Sequence, residues 1–223
     1  MITVTTDRGA CRAAVECDCH DGWRYGAAAA RCANPAHRFA ALINAARVPG
    51  DLAAALRGEF DIEGQRAEIV ARVPQMLCGD LRGLIMSGAP DTGKSHAAAY
   101  LAALMMQAGR GVVWATAHDL VEAAKAGYGR RQSVAASLDR YAAAPVLVLD
   151  ELRAHSPHDR EIIGRVIRAR YERSAGALAL TIITANGAAD DIASALDGHI
   201  WSRLRSIAPV YTMRGRSRRG VAS

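Results

Sequence analysis

The sequence predicts an α/β fold built on a doubly wound, five-stranded parallel sheet. From Leu81 onward, short apolar runs alternate with longer amphipathic runs, which is the pattern of strands covered by helices. A glycine-rich loop follows the first of these runs and opens an alanine-rich helix, and a later run ends in two adjacent carboxylates. Five strands joined by right-handed crossovers make a doubly wound fold.

Each element of this sheet is placed by its apolar run. The predicted strands cover residues 83–87, 111–115, 146–150, 178–184 and 207–213. The predicted helices cover residues 95–107, 119–126, 133–142, 158–173 and 190–196. Each helix follows a strand of the predicted sheet or lies between two strands, as the βαβ pattern requires.

Composition divides the chain into three regions. Residues 1–37 carry most of the cysteines and have no regular pattern, so they are expected to be an irregular Cys/His-rich segment. Residues 38–80 are predicted to form a helical connector, because Phe39, Leu42, Ile43 and Ala46 recur at helical spacing and residues 48–50 interrupt them as a turn. Residues 81–223 form the predicted core.

The glycine-rich loop matches the phosphate-binding motif G-x-x-x-x-G-K-[ST]. Its glycines let the backbone wrap an anion, so that N–H groups and the helix N-terminus face the phosphates. Lys94 is expected to reach the β- and γ-phosphates of ATP, and the hydroxyl of Ser95 is expected to bind Mg²⁺. The candidate binding residues are Gly88, Ala89, Pro90, Asp91, Thr92, Gly93, Lys94, Ser95 and His96.

Asp91 is unusual, since many such loops carry glycine at this position. An aspartate tolerates a left-handed backbone better than most residues, so the shape of the loop is expected to survive. Its carboxylate near the phosphates is expected to weaken nucleotide affinity.

The run at residues 146–151 is a predicted buried strand that ends in Asp150 and Glu151. In P-loop ATPases the two members of such a pair have distinct roles. Asp150 is expected to hold Mg²⁺ through water, and Glu151 is expected to polarise the water that attacks the γ-phosphate.

Candidates for a sensor residue and for an arginine finger follow the acidic pair along the chain. Asn186, at the tip of the next strand, is the candidate sensor that bridges the attacking water and the γ-phosphate. Arg203, with Arg205 as second choice, precedes the last strand. In ring-forming ATPases an arginine at this place reaches the γ-phosphate of a neighbouring subunit and stabilises transition-state charge.

With these blocks in order, residues 48–219 resemble the DnaC/DnaI family of helicase loaders and the related IstB transposition ATPases. Residues 93–96 are similar to the family's GK[ST]H, and residues 150–152, 170–171 and 182–186 repeat its order of blocks. Residues 215–219 resemble its closing G-x-S-x-R. The resemblance implies an AAA+ ATPase that assembles, with ATP, on single-stranded DNA and on a replicative DNA helicase, forming a homo-oligomer.

The family resemblance also has implications for a C-terminal lid and for DNA contact. About ten residues follow the last predicted strand, so no C-terminal helical lid is expected, as in loaders of this family. DNA contact in the family lies after the second strand, and the matching residues are Lys125, Tyr128, Arg130 and Arg131. Cations can track phosphates and a tyrosine can stack on a base. A solvated helix end is the alternative.

The N-terminal cysteines suggest a small zinc site. Thiolates and imidazoles are the natural ligands of tetrahedral Zn²⁺, and the metal would supply folding energy to a segment with no core of its own. The preferred ligands are Cys17, Cys19, Cys32 and His37, with Cys11 and His20 in reserve. Several loaders carry such a cluster, which contacts the helicase. A reduced tail without metal is the alternative.

Charge and hydropathy limit the class of protein. The formal net charge of +6 fits a polyanionic partner, although a GC-rich codon bias would give the same excess of arginine and alanine. We find no membrane span and no secretory leader in the sequence, so a cytoplasmic protein is expected. The leading interpretation is an ATP-dependent helicase loader. The alternatives are an IstB-like helper of a transposase and an adaptor in which ATP switches binding without being hydrolysed.

Overall fold

The computed structural model describes residues 2–7, 9–15, 23–24, 30–31, 35–59, 64–129, 133–174 and 179–215. Within them, an N-terminal hairpin precedes a group of short helices, and an α/β unit with a five-stranded sheet follows.

The first element is an antiparallel hairpin of β1 (Ile2–Asp7) and β2 (Ala10–Val15). Two short strands, β3 (Trp23–Arg24) and β4 (Ala30–Arg31), pair antiparallel with each other. The expectation of an irregular segment over residues 1–37 was therefore wrong for the hairpin. The β-branched run Ile-Thr-Val-Thr-Thr in β1 favours a strand, and Val4 and Cys11 are buried in the core.

Among the described residues between 35 and 78 lie four α-helices and one 3-10 helix. They are α1 (Pro35–Ala46), a 3-10 helix (Gly50–Leu52), α2 (Ala53–Leu56), α3 (Arg66–Val70) and α4 (Val73–Cys78). Asn44 of α1 pairs with the outer edge of β2: its Oδ1 accepts the N–H of Ala13 at 2.8 Å, and its Nδ2 donates to the Ala13 carbonyl at 3.1 Å. The hairpin is thus held against the helices.

The central sheet is parallel throughout, and its strand order confirms the predicted doubly wound fold. Its strands are β5 (Gly83–Ser87), β6 (Val112–Thr116), β7 (Val146–Asp150), β8 (Leu180–Thr184) and β9 (Val210–Thr212). The order across the sheet is β6-β7-β8-β5-β9. Every residue of β5, β7 and β8 is buried, because helices cover both faces of the sheet.

In the described part of the chain, six helices follow β5 and connect the strands. They are α5 (Lys94–Gln107), α6 (Ala117–Gly129), α7 (Val134–Ala142), α8 (Pro157–Ser174), α9 (Ala189–Ala195) and α10 (Gly198–Ile207). The sheet separates two apolar cores. Leu84, Val148 and Ile182 pack with α1 to α5, whereas Leu147 and Ile183 pack with α6 to α10.

Helix α10 was not predicted, and the strand expected over residues 207–213 is shorter. Asp197 caps the helix by accepting the N–H of Ile200 at 2.8 Å. Ile200, Leu204 and Ile207 are buried at helical spacing. Pro209 disfavours helical backbone at Ala208, which is extended (φ −138°), so the helix ends there and the strand begins after it.

One buried arginine joins the helices of the second core to the sheet. Arg170 of α8 is 1% exposed, and its guanidinium donates to the carbonyls of residues 141, 142, 144 and 180 and to the hydroxyl of Thr181. Burial, with the charges of Arg173 and Arg110, lowers the pKa of Arg170 to about 10. The sequence indicates this arginine only as part of a family block, and its contacts come from the fold.

Candidate functional site

The phosphate-loop residues have the backbone that an anion-wrapping loop needs. Gly88 and Gly93 take φ of 143° and 89°, and Asp91 takes φ of 62°. The expectation that Asp91 would accept a left-handed backbone is confirmed. A Cβ on Gly88 would lie 2.6 Å from the carbonyl oxygen of Met213, so only glycine fits between β5 and the end of β9.

Lys94 starts α5 and its ammonium lies inside the loop. Nζ donates to the carbonyl of Ala89 at 2.5 Å, to that of Gly88 at 3.2 Å and to Oγ1 of Thr92 at 3.4 Å. Burial lowers the pKa of Lys94, and the nearby carboxylates of Asp91, Asp150 and Glu151 oppose this shift. A cation at a helix N-terminus beside backbone N–H groups is a binding site for phosphates.

The two predicted magnesium residues lie against each other. Ser95 Oγ donates to Oδ1 of Asp150 at 2.9 Å, across the space between α5 and the end of β7. Burial raises the pKa of Asp150, while hydrogen bonds from Thr184 and Ser95 lower it. A hydroxyl and a carboxylate are hard oxygen donors of the kind Mg²⁺ binds beside nucleotide phosphates, so this pair fits the metal.

Glu151 and Asn186 line one cavity with the loop. The cavity measures about 590 Å³, which is within the range of small-molecule sites. Its lining combines the loop, the acidic strand end and the tip of β8, because β7 and β8 are neighbours and β5 lies beside β8. The lining residues are Asp51, Leu52, Pro90, Asp91, Gly93, Lys94, Ser95, His96, Glu151, Arg153, Thr184, Ala185 and Asn186.

Several of these lining residues were not identified from the sequence. Asp51 and Leu52 come from the 3-10 helix before α2, and Arg153 presents an exposed guanidinium two residues after Glu151. Thr184 forms hydrogen bonds with both acidic residues through its hydroxyl, with the carboxylate of Asp150 and with the backbone N–H of Glu151. Thr184 could have been identified from the sequence as a hydroxyl two positions before Asn186, because alternate residues of a strand lie on the same side.

The two candidate arginine fingers lie on α10 and are absent from the lining that the described residues give this cavity. The guanidinium of Arg203 is half-buried, 5.9 Å from the ring centroid of Tyr171. Arg205 is exposed, 5.5 Å from the ring of Trp201. Action of either arginine on a neighbouring subunit remains a prediction.

The predicted DNA contacts fall at the end of α6. Lys125 is exposed, and its Nζ donates to Glu122 at 2.9 Å, which raises the pKa of the lysine. Tyr128 belongs to α6, but its side chain lies outside the described part of the chain, as do Arg130 and Arg131. Their contact with nucleic acid stays a prediction.

Three of the four preferred zinc ligands, Cys17, Cys19 and Cys32, also lie outside the described residues, as does the reserve His20, whereas His37 lies half-buried in α1. Among the residues that are described, no group of three or more His, Cys, Asp or Glu side chains could hold a metal ion. The reserve ligand Cys11 is a buried thiol that donates to the Pro49 carbonyl at 3.1 Å. Burial, followed by the charge of Asp51, raises its pKa to about 11, which disfavours the thiolate that binds zinc.

The fold and this site together define a P-loop ATPase of the AAA+ class. A phosphate loop, a strand that ends in the buried Asp150, the exposed Glu151 that follows it and the polar tip of β8 meet at the carboxyl edge of one parallel sheet.

The chain belongs to the family of IstB-like ATP binding proteins, whose model matches residues 36–200. This match confirms the family resemblance seen in the sequence. No curated protein matches the chain.

Solved structures give the same fold. The crystal structure of the DnaC helicase loader is 26% identical, with a TM-score of 0.58, over 70% of this chain and 92% of that one. The structure of DnaI is 20% identical, with a TM-score of 0.59, over 74% and 92%. AMPPCP-bound DnaA from Aquifex aeolicus is 14% identical, with a TM-score of 0.59, over 74% of this chain and 51% of that one. In the described part of this chain, no helix is long and apolar enough to span a bilayer.

Proposed function

We propose that this protein is an ATP-dependent loader that places a replicative DNA helicase on single-stranded DNA. The observation that carries the proposal is a cavity that brings the phosphate loop, Glu151 and Asn186 together, in a chain similar to the solved chain of the DnaC helicase loader over 92% of that chain. In this interpretation the nucleotide state of the site controls assembly, and hydrolysis releases the loader.

The residues of the cavity divide the nucleotide chemistry among them. Lys94 and the loop N–H groups bind the phosphates. Ser95 would bind Mg²⁺ and Asp150 would hold it through water, and the bound metal would neutralise charge on the phosphates. Glu151 orients the attacking water, and Asn186 holds that water and the γ-phosphate in line.

Arg203 completes the site of a neighbouring subunit in this proposal, with Arg205 as the second candidate. Mixed oligomers test this step. Arg203→Ala and Glu151→Gln should each abolish turnover alone. A mixture should regain part of it, because the finger of a Glu151→Gln subunit can serve the intact acidic pair of an Arg203→Ala subunit. If this mixture stays inactive while a mixture of Arg205→Ala and Glu151→Gln subunits regains turnover, Arg205 is the finger. If neither mixture regains turnover, neither arginine acts in trans.

The regions outside the cavity supply the partner contacts in this proposal. Lys125, Tyr128, Arg130 and Arg131 track single-stranded DNA, and a zinc-bearing segment with Cys17, Cys19, Cys32 and His37 grips the helicase. Anisotropy of a labelled oligothymidine should show weaker binding and a shallower salt dependence for Lys125→Ala. Zinc well below one atom per chain after gentle purification would remove the metal from the proposal.

Co-elution with the replicative helicase encoded in the same genome tests the proposal as a whole. Sizing chromatography is run with ATP, with ADP, and with the Lys94→Ala variant in ATP. A complex that depends on nucleotide state, and whose ATP form is lost in Lys94→Ala, supports the loader. An exposed-arginine variant, Arg160→Ala, is the matched control and should behave as the natural chain.

The family match favours one second candidate, an IstB-like helper of a transposase. It uses the same nucleotide chemistry with a different client. Absence of a helicase complex in every nucleotide state, alongside ATP-dependent binding to a transposase encoded nearby, would move the assignment to this candidate.

A further inference from the structure

Thr184 lies between the two acidic residues of the site. It is the last residue of β8 and is 1% exposed. Its Oγ1 donates to Oδ1 of Asp150 at 2.5 Å and accepts the backbone N–H of Glu151 at 2.9 Å. A hydroxyl has one proton to donate and lone pairs to accept, so one side chain satisfies both groups.

The backbone at Glu151 is held in an unusual conformation. Strand β7 ends at Asp150, and Glu151 takes φ of 53°, a left-handed value that residues with side chains seldom adopt. The N–H of Glu151 is accepted by the Thr184 hydroxyl, and the N–H of Leu152 by the Thr184 carbonyl at 2.8 Å. Such conformations persist where surrounding contacts determine them, and here Thr184 supplies two of those contacts.

The carboxylate of Asp150 is fixed from two sides. Its Oδ1 accepts hydrogen bonds from Ser95 on α5 and from Thr184 on β8, and the residue is 7% exposed. A buried carboxylate needs such donors, since an unpaired polar group in this place is costly. The two donors therefore set its orientation toward the loop.

The same strand also carries the candidate sensor. Thr184 and Asn186 are two residues apart, and both line the cavity with Glu151. The hydroxyl that holds both acidic residues therefore lies two residues before the candidate sensor in the chain.

We propose that Thr184 is a positioning residue for ATP hydrolysis. Its hydroxyl aligns the carboxylate of Asp150 and the backbone of Glu151 with the strand that ends at Asn186. The inference concerns the ATPase site and does not depend on helicase loading. In this role Thr184 differs from the residues that contact nucleotide, because it affects hydrolysis through Asp150 and Glu151.

Three variants separate this role from simple packing. Thr184→Val keeps the shape but cannot donate or accept. Thr184→Ser keeps the hydroxyl and loses only the methyl group that restricts its rotamer. Thr181→Val is the matched control, because Thr181 is a buried threonine on the same strand whose Oγ1 accepts from Arg170 at 2.8 Å, away from the cavity.

Metal affinity provides a readout that is independent of turnover. Mn²⁺ is titrated in the presence of ADP and followed by electron paramagnetic resonance, while a fluorescent ADP analogue is titrated in EDTA. Thr184→Val should weaken Mn²⁺ binding and lower kcat by about 10- to 100-fold, the usual effect of removing a group that orients a metal ligand. Metal-free ADP binding should stay within about two-fold, because the loop and Lys94 are untouched.

The control variants decide the outcome. Thr184→Ser should restore both Mn²⁺ affinity and kcat to within a few-fold, and Thr181→Val should lower thermal stability without changing either. Natural Mn²⁺ affinity in Thr184→Val, equal impairment in Thr184→Ser, or the same loss in Thr181→Val would each overturn the proposal. If Thr184→Val does not fold, Thr184→Ala takes its place with the same criteria. A missing helicase complex would count against the loader alone, since no partner enters these titrations.

Discussion

Arg170 offers the sharpest test of how the sheet is held beside the site. Replacing it with methionine keeps an unbranched apolar stem but removes the guanidinium. Five acceptors then lose their donor: the carbonyls of residues 141 and 142 at the end of α7, the carbonyl of residue 144 after it, the carbonyl of Leu180 and the hydroxyl of Thr181. Because the site is 1% exposed, water cannot replace it without opening the core.

The expected size follows from two opposing effects. A hydrogen bond from a charged donor contributes about 1.5–3 kcal/mol to stability, and Arg170 makes five, one of them long at 3.3 Å. Burial of the charge opposes this: the pKa lies near 10 instead of 12.5, which corresponds to roughly 3 kcal/mol. The net loss for Arg170→Met is therefore at least about 4 kcal/mol when each bond is given the low end of this range, a large share of the stability of a typical domain.

Urea unfolding followed by circular dichroism measures this loss. Arg170→Lys should be intermediate, since an ammonium keeps the charge but cannot reach five acceptors on two elements. Arg173→Met, at an exposed arginine of the same helix, should change stability by less than about 0.5 kcal/mol. A loss below about 1 kcal/mol for Arg170→Met, with an unchanged denaturant slope, would refute the reasoning.

Three further predictions concern the site and the N-terminal hairpin. Asp91→Gly should tighten ADP binding by up to about ten-fold in fluorescence titrations, because it removes a negative charge from the phosphate loop and glycine accepts φ of 62°; unchanged affinity in both Asp91→Gly and Asp91→Asn would contradict this. Arg153→Ala should weaken ATP binding by several-fold more than ADP binding, because its exposed guanidinium borders the cavity beside Glu151, whereas Arg160→Ala should change neither. Cys11, whose pKa is raised from 9.0 to about 11, contributes stability that is full below pH 9 and lost as the pH rises toward 11, by up to about 2 kcal/mol. Cys11→Ala should flatten this part of the pH profile of unfolding, and native alkylation mapped by mass spectrometry should modify the exposed Cys78 and spare Cys11.

Local sequence patterns predicted most of the sheet. Strands β5 and β7 and the helix after the phosphate loop were placed within one residue of their ends, because fully buried parallel strands are short apolar runs bounded by turn residues. Helix α10 was missed although the sequence shows its capping residue, Asp197, and its apolar positions at helical spacing. The helix ends only a few residues before the last strand, so the boundary at Pro209 was not recognised. The hairpin of β1 and β2 was missed because it is held by contacts with residues distant in the chain, Asn44 and residues 48–50.

The sequence by itself determined the phosphate loop, the acidic pair and the succession of strands and helices along the chain, since each is encoded by residues adjacent in the chain. The tertiary structure alone decided which side chains that are distant in the chain meet at a common hydrogen-bond partner or border the same cavity. Asp150 Oδ1 is held by Ser95 and Thr184 from two other elements, Arg170 connects α7 to β8, and Arg153 and Asp51 border one cavity. These contacts depend on the parallel register that places β7 beside β8 and on helix packing across the sheet. Periodicity specifies which face of an element is buried, but only the packed chain specifies which partner each side chain meets there.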